Sequence, residues 1–313
     1  MPRRHAAPSA ERDSEDTLTI FRAPPGRPSV PAYEHGWHLS DGSVAPFLSY
    51  VQPDPSVNWS VELEQLHEES SRTHFLDRWT RSEIIERVEP LPPAPTIADV
   101  GCSTGHLLHD IRARYPAARL VGVDLIGSGL EKAHDLVSSA ALLRADACDL
   151  PIADRGVDAV VSANLLEHIP DDRGALREFA RVLRPGARAV MVVPAGPRTY
   201  DYYDRFLGHE RRYGRRELAS KCVEAGLDVV QDSYIGALLY PAFWLVKQRN
   251  RRVKGGLEGE ALERQVAADI ARTHDSRGGA LTWDIERWLT GLGIRLPFGI
   301  RSLVVARRPG STP

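Results

Sequence analysis

From Thr96 to Pro194, short apolar runs alternate with helix-patterned stretches, and no other feature constrains the fold of this chain as tightly. "TIADVG" reads as a strand and "GHLLHDIRARY" as a helix; "ARLVGVDL" is the next strand and "GLEKAHDLV" the next helix. "ALLRAD", "VDAVVSAN" and "ARAVMVVP" follow as strands, with "ALREFARVL" as a helix before the last of them. Strands and helices alternating at this spacing predict a parallel sheet covered on both faces. Near-continuous apolar runs such as "AVMVV" belong to strands buried on both sides. With "DVVQDSYIG" as a sixth strand and "IRSLVVARR" as the last, the expected fold class is α/β. It is a doubly wound, mostly parallel seven-stranded sheet with helices on both faces.

The flanks follow other rules. Residues 1–30 are rich in Pro, Ser, Arg and Asp with little apolar periodicity, and disorder is expected there. Residues 31–90 form an N-terminal arm. In it an irregular aromatic stretch, Tyr33 to Val57, leads into amphipathic helices that end at the proline cluster Pro90 to Pro95. The core spans 91–235. Roughly 60 residues, 236–298, then precede the final strand and tail at 299–313, and an insertion of that length predicts a cap that shapes a pocket or an oligomer contact.

Composition excludes several classes. The formal net charge of −2 gives no global electrostatic case for nucleic-acid binding. Cys102, Cys148 and Cys222 are widely spaced with no C-x-x-C pair, which argues against a disulfide framework and for a reducing cytoplasm. The start "MPRRHAAPSAERDSED" has no apolar core and cannot be a signal peptide. "ALLYPAFWLV" is about a dozen apolar residues where a bilayer span takes about 20, so no stable membrane insertion is expected. An interfacial helix is the alternative there, because Lys247, Arg249, Arg251, Arg252 and Lys254 follow. The favoured expectation is a cap helix that packs its apolar face on the pocket or on a second subunit, giving a homodimer through the cap.

The loop in "IADVGCSTGHLL" decides what the sheet holds. A phosphate-binding loop needs G-x-x-x-x-G-K-[ST]; here the glycines are one residue closer and His106 stands in the lysine's place. A dinucleotide loop needs G-x-G-x-x-G, and neither 103 nor 106 is glycine. Asp99, Gly101 and Gly105 instead resemble the D-x-G-x-G-x-G motif of class I S-adenosylmethionine-dependent methyltransferases, with Ser103 in place of the middle glycine. "LVGVDL" resembles the family's second strand, ending on Asp124. "RADACDLP" resembles its acid–small pair, Asp146 and Ala147, and "VDAVVSANLLEHI" its fourth-strand motif. "RVLRPGARAVMVV" resembles the helix–turn–strand that closes the core. The resemblance covers Thr96 to about Pro194, most like the small-molecule, type 11 and 12 group.

That resemblance implies the cofactor S-adenosyl-L-methionine, with S-adenosyl-L-homocysteine as product. Asp99, Gly101, Ser103 and Gly105 would seat the methionine end at a helix N-terminus. Asp124, followed by Leu125, would take the ribose hydroxyls, and Asp146 with Ala147 the adenine. Asn164 would lie beneath the cofactor. The N-terminal helix would close the open side, with Arg72 and His74 in reach.

Methyl transfer from a sulfonium is an in-line displacement, so alignment of the acceptor carries most of the catalysis. A hydroxyl or protonated nitrogen also needs a base. The catalytic candidates are His168 in "NLLEHI" and His209 in "GHERRY", His209 also being a candidate tie between its loop and the core. Tyr200, Tyr203, Arg212 and Tyr213 are the candidate substrate contacts. No ligand cluster stands out in the sequence, so no metal is expected. The resulting expectation is transfer to O or N of a small molecule, such as a specialised natural product. A modified peptide or lipid-linked sugar is the alternative acceptor, and a non-catalytic cofactor-binding protein the alternative class.

Overall fold

The computed structural model describes residues 20–52, 74–253, 277–294 and 296–310, with a few positions between 256 and 266. Four two-residue strands open it: β1 (Ala32–Tyr33), β2 (Trp37–His38), β3 (Val44–Ala45) and β4 (Leu48–Ser49). Helix α1 (Phe75–Arg87) leads to β5 (Thr96–Val100), α2 (His106–Arg114), β6 (Arg119–Asp124), α3 (Gly127–Leu136) and β7 (Ala140–Arg144). The second half of the core is β8 (Val157–Ala163), α4 (Asp172–Val182) and β9 (Leu183–Pro194). After it come α5 (Tyr202–Phe206), α6 (Glu217–Glu224), β10 (Asp228–Ile235), α7 (Tyr240–Val253), α8 (Arg277–Gly291) and β11 (Arg301–Arg307).

The central sheet has eight strands in the order β10-β11-β9-β8-β5-β6-β7-β4. The strands from β9 to β4 run parallel, and β11 is antiparallel to both β9 and β10. β5 is the switch point: the chain moves outward through β6 and β7, then returns to place β8 on the other side of β5. The loop after β5 therefore opens into the crevice where such sheets bind ligands. Side chains alternate along β5 between two apolar cores. Ile97 belongs to one, with Leu108, Ile111 and Val190, while Ala98 and Val100 belong to the other, with Val121, Phe179 and Met191.

Two expectations change. The sheet has eight strands rather than seven, because β4 adds to its edge in parallel with β7, and β1–β3 form a small antiparallel sheet beside it. The segment 20–30 is not disordered: Phe21 is 7% exposed, bridges to Ile152 and meets Trp37 edge to face. Trp37 is fully buried and its Nε1 donates to the Leu142 carbonyl 2.9 Å away. Two aromatics burying this much surface outweigh the polar, proline-rich composition around them. Residues 1–19 and the helical stretch before His74, with Arg72, lie outside the described residues.

Candidate active site

The loop between β5 and α2 is held in a shape that few sequences tolerate. Gly101, Ser103 and Gly105 all have positive φ, at 83°, 43° and 82°. A Cβ on Gly105 would lie 2.9 Å from the Ala133 Cβ, so this glycine lets α2 approach α3. Ser103 adopts the left-handed conformation where the family motif has glycine, and its amide donates to Asp124 Oδ2 at 2.8 Å. Asp124 Oδ1 accepts from the Ile126 amide, so the acid that ends β6 also fixes two adjoining loops. Gly101 and Cys102 both donate to the Val123 carbonyl, which keeps the loop flat against β6.

Asp99 closes the floor. It is 1% exposed, and neither carboxylate oxygen has a hydrogen-bond partner. Burial, with added repulsion from Asp124, pushes its pKa up to about 8. A buried carboxyl left without a partner costs free energy unless a ligand supplies one. Asp99 lines an open cleft together with Gly101, Ser103, Thr104, His106 and Asn164.

Of the expected cofactor residues, the structure brings Asp99, Gly101, Ser103 and Asn164 to this cleft, with Asp124 joined through the Ser103 amide. Gly105 caps α2 behind it. Leu125, Asp146 and Ala147 lie along the same carboxyl edge, beyond the ends of β6 and β7. The Leu125 carbonyl accepts from Arg144 Nε, and Asp146 Oδ1 accepts from the Cys148 amide. His74 is the N-cap of α1, accepting from the Leu76 amide. Sequence reasoning missed the opposite wall: Asp77, Thr80 and Arg81 of α1, and Arg301 of β11. Arg301 donates to both Asp77 and Thr80. The i, i+3, i+4 spacing of 77, 80 and 81 marks one helical face, but nothing local pairs that face with a residue more than 200 positions away.

Beyond Asn164 the chain turns through Leu166–His168, and a second cluster forms. The His168 and His209 rings meet edge to face with centroids 4.7 Å apart. His209 Nδ1 is 2.9 Å from Asp204 Oδ1, and Arg212 Nε donates to the same oxygen at 2.6 Å. Burial opposes the Asp204 carboxylate, but the His209 hydrogen bond and the charges of Arg212 and Lys247 hold its pKa well below the usual range. Burial lowers the His209 pKa, with Asp204 opposing only in part. Tyr200 donates to the His209 carbonyl at 2.7 Å, and the Tyr203 ring lies 5.4 Å from Lys247 Nζ.

Three readings of this region change. Tyr213 is 1% exposed and its hydroxyl donates to Asp172, which also takes Lys221 and Arg211, so it is a buried tie and not a pocket wall. Arg212, 8% exposed, is committed to Asp204 in the same way. The basic run after the apolar stretch of the cap is not all at the surface. α7 packs Tyr240 and Phe243 on the core and buries Lys247, whose Nζ reaches Asp201 at 2.7 Å, while Trp244, Leu245 and Val246 are 41%, 62% and 56% exposed. The lysine is drawn in because buried Asp201 takes its ion pair from Lys247, which also reaches Asp204 beside Arg212. Among the described residues, no helix is long and apolar enough to cross a membrane.

Similar proteins agree with this geometry. Residues 98–191 match the profile of the Methyltransferase domain family. The malonyl-[acyl-carrier protein] O-methyltransferase of Hahella chejuensis is 39% identical over 97 residues, covering 30% of this chain and 34% of that one. A demethylmenaquinone methyltransferase of Roseiflexus sp. is 34% identical over 127 residues, covering 39% and 52%. The chain thus spans a third to a half of the length of these relatives. The fold also matches phosphoethanolamine N-methyltransferase 2 of Haemonchus contortus in complex with S-adenosyl-L-methionine, with a TM-score of 0.55 at 14% identity, over 81% of this chain and 58% of that one. Residues 98–191 thus resemble the Methyltransferase domain family, and the chain shares the fold of that solved methyltransferase.

Proposed function

We propose that this chain is an S-adenosylmethionine-dependent methyltransferase that moves a methyl group to an oxygen or nitrogen of a small molecule. The observation that carries the reading is Asp99, a buried, unpartnered carboxylate at the floor of a glycine-loop cleft. It fits a ligand that brings its own ammonium group and makes no demand for a phosphate site. When bound, the cofactor supplies an activated methyl group on a sulfonium. Asp99, Gly101, Ser103 and Gly105 hold the methionine end, with the amide end of α2 directed at its carboxylate. Asp124 and Leu125 hold the ribose, Asp146 and Ala147 the adenine, and Asn164 supports it from below. Asp77, Thr80, Arg81 and Arg301 wall the cleft and exclude water.

His168 and His209 stand at the acceptor end, where a hydroxyl or protonated nitrogen must give up its proton. Tyr200 and Tyr203 flank them; Arg212 and Tyr213 support that loop from inside. The exposed apolar side of α7, followed by Arg249, Arg251 and Arg252, favours a second reading for the acceptor alone. In it the acceptor is a lipid-linked sugar or modified peptide, or the same face joins two copies of the chain. Calorimetry with S-adenosylmethionine tests the cofactor assignment: the parent protein binds, and Asp124→Ala binds far more weakly. Equal affinity in the two proteins would sink it. A methyl-transfer screen of small molecules against peptides and lipid-linked sugars then separates the acceptor classes.

A further inference from the structure

Glu167 has no place in the cofactor cleft. It is 1% exposed in the turn after β8, and neither carboxylate oxygen has a hydrogen-bond partner. Its carboxylate and one ring nitrogen from each of His168 and His209 all lie within 4.8 Å of one another. One carboxylate and two imidazoles form an N2O donor set of the kind that binds zinc and other divalent first-row metals, in preference to Mg2+ or Ca2+.

We propose that Glu167, His168 and His209 bind a divalent transition-metal ion at the acceptor end of the site. Donor atoms bonded tetrahedrally to one ion at about 2.1 Å stand about 3.4 Å apart. The cluster, whose donors lie within 4.8 Å of one another, therefore needs to close by up to about 1.4 Å at its widest pair, which side-chain torsions supply. His209 is prepared for the role. Its Nδ1 is held by Asp204 at 2.9 Å, which leaves Nε2 as the nitrogen available to a metal. A carboxylate behind a ligating histidine fixes the ring and its tautomer and raises its basicity. Arg212 and Lys247 lock that carboxylate in turn. Three protein ligands leave an open position, the arrangement of metal sites that bind a reactant.

The metal site stands on these contacts alone. The role we give it, holding an oxygen-bearing acceptor and lowering the pKa of its hydroxyl, rests on the methyltransferase reading. In that role the hydroxyl proton would pass to bulk water, the ion would stabilise the oxygen anion, and that oxygen would take the methyl group as S-adenosyl-L-homocysteine leaves; His168 and His209 hold the ion and do not carry the proton.

The test uses the full chain after treatment with a chelator, titrated with Zn2+ by calorimetry and with Co2+ by visible absorption. One equivalent binds, with a Co2+ spectrum characteristic of mixed N/O ligation. Glu167→Gln and His168→Gln each weaken binding by more than the roughly 10–100-fold that loss of an outer-shell partner costs. Circular dichroism confirms that the variants are folded. His209→Ala gives the same result where it folds, and the other two carry the test where it does not. Asp124→Ala leaves metal affinity unchanged while S-adenosylmethionine binding falls, which separates failure of this site from failure of the cofactor reading. Absence of stoichiometric binding, or unchanged affinity in either Glu167→Gln or His168→Gln, would overturn the proposal.

Discussion

Asp99 and Glu167 make an instructive pair. Both carboxyls are 1% exposed, both lack hydrogen-bond partners, and burial pushes each up to about 8. Their surroundings differ. Asp99 sits below a glycine loop with a second acid, Asp124, adding repulsion, and no basic side chain answers it. Glu167 sits among imidazoles, and its own backbone amide, then the charges of Arg301 and Arg212, draw its pKa down in part. The same orphaned group thus serves two ends: beside an open loop it suits an organic cation, and beside two ring nitrogens it suits a metal. Burial says that a partner is due, and the neighbours say which.

The largest effect expected at the Asp99 end comes from Asp124→Ala. Removing an acid that orders Ser103 and Ile126 and, in the proposed reading, takes the ribose hydroxyls removes charge-assisted hydrogen bonds of ~1.5–3 kcal/mol each. S-adenosylmethionine affinity should fall by about 100-fold or more in calorimetry. Asp99→Asn comes next, with affinity about 10-fold lower from loss of one charged contact.

That substitution has a second, pH-dependent signature. The folded pKa of Asp99 is raised from 3.8 to about 8, so the unfolded chain holds fewer protons than the folded one between those values. The carboxyl therefore costs the ligand-free protein stability as pH rises from about 4 to 8, and the cost is constant above. Asp99→Asn should raise the thermal midpoint of the ligand-free protein at pH 8, by on the order of 10 °C, since the rise from 3.8 to about 8 is worth roughly 5 kcal/mol and each roughly 1 kcal/mol moves a domain of this size about 2–4 °C. The gain should vanish near pH 4. A pH-independent gain would mean that the carboxyl is not destabilised by burial, and would remove half of the comparison.

Arg301→Ala sharpens it from the wall. Loss of the contacts to Asp77 and Thr80 should loosen α1 over the cleft and raise the KM for S-adenosylmethionine several-fold, at about 1–2 kcal/mol of stability. Metal affinity at Glu167 should not follow. The smallest effect belongs to Tyr213→Phe. Asp172 keeps Lys221 and Arg211, so stability should fall by about 1 kcal/mol in denaturant melts with turnover little changed. A selective rise in acceptor KM would return Tyr213 to the pocket.

Much of the donor half is legible in the sequence, and the acceptor half is not. Period-two and period-3.6 patterns in "TIADVG", "GHLLHDI" and "ARLVGVDL" are local, and two-sided burial of a parallel sheet leaves little freedom in how they assemble. Asp99, Gly101, Ser103 and Asn164 are fixed by strand ends, so the order of strands brings them together. Even the departure at Ser103 has a local cause, a left-handed residue whose amide ties to Asp124. Phe21 was hidden by its polar neighbours, because one anchor aromatic does not shift the composition of a segment.

By itself, then, the sequence determined the parallel core, the switch-point loop and the chemistry that loop can seat, all properties of short segments and of their order. Tertiary structure alone decided that Glu167 and His168 meet His209, that Arg301 reaches Asp77, and that α7 turns Lys247 inward to Asp201. The reason is physical. Those outcomes depend on which buried charges must be answered after the sheet has closed, and the groups that answer them come from segments with no periodic relation to one another.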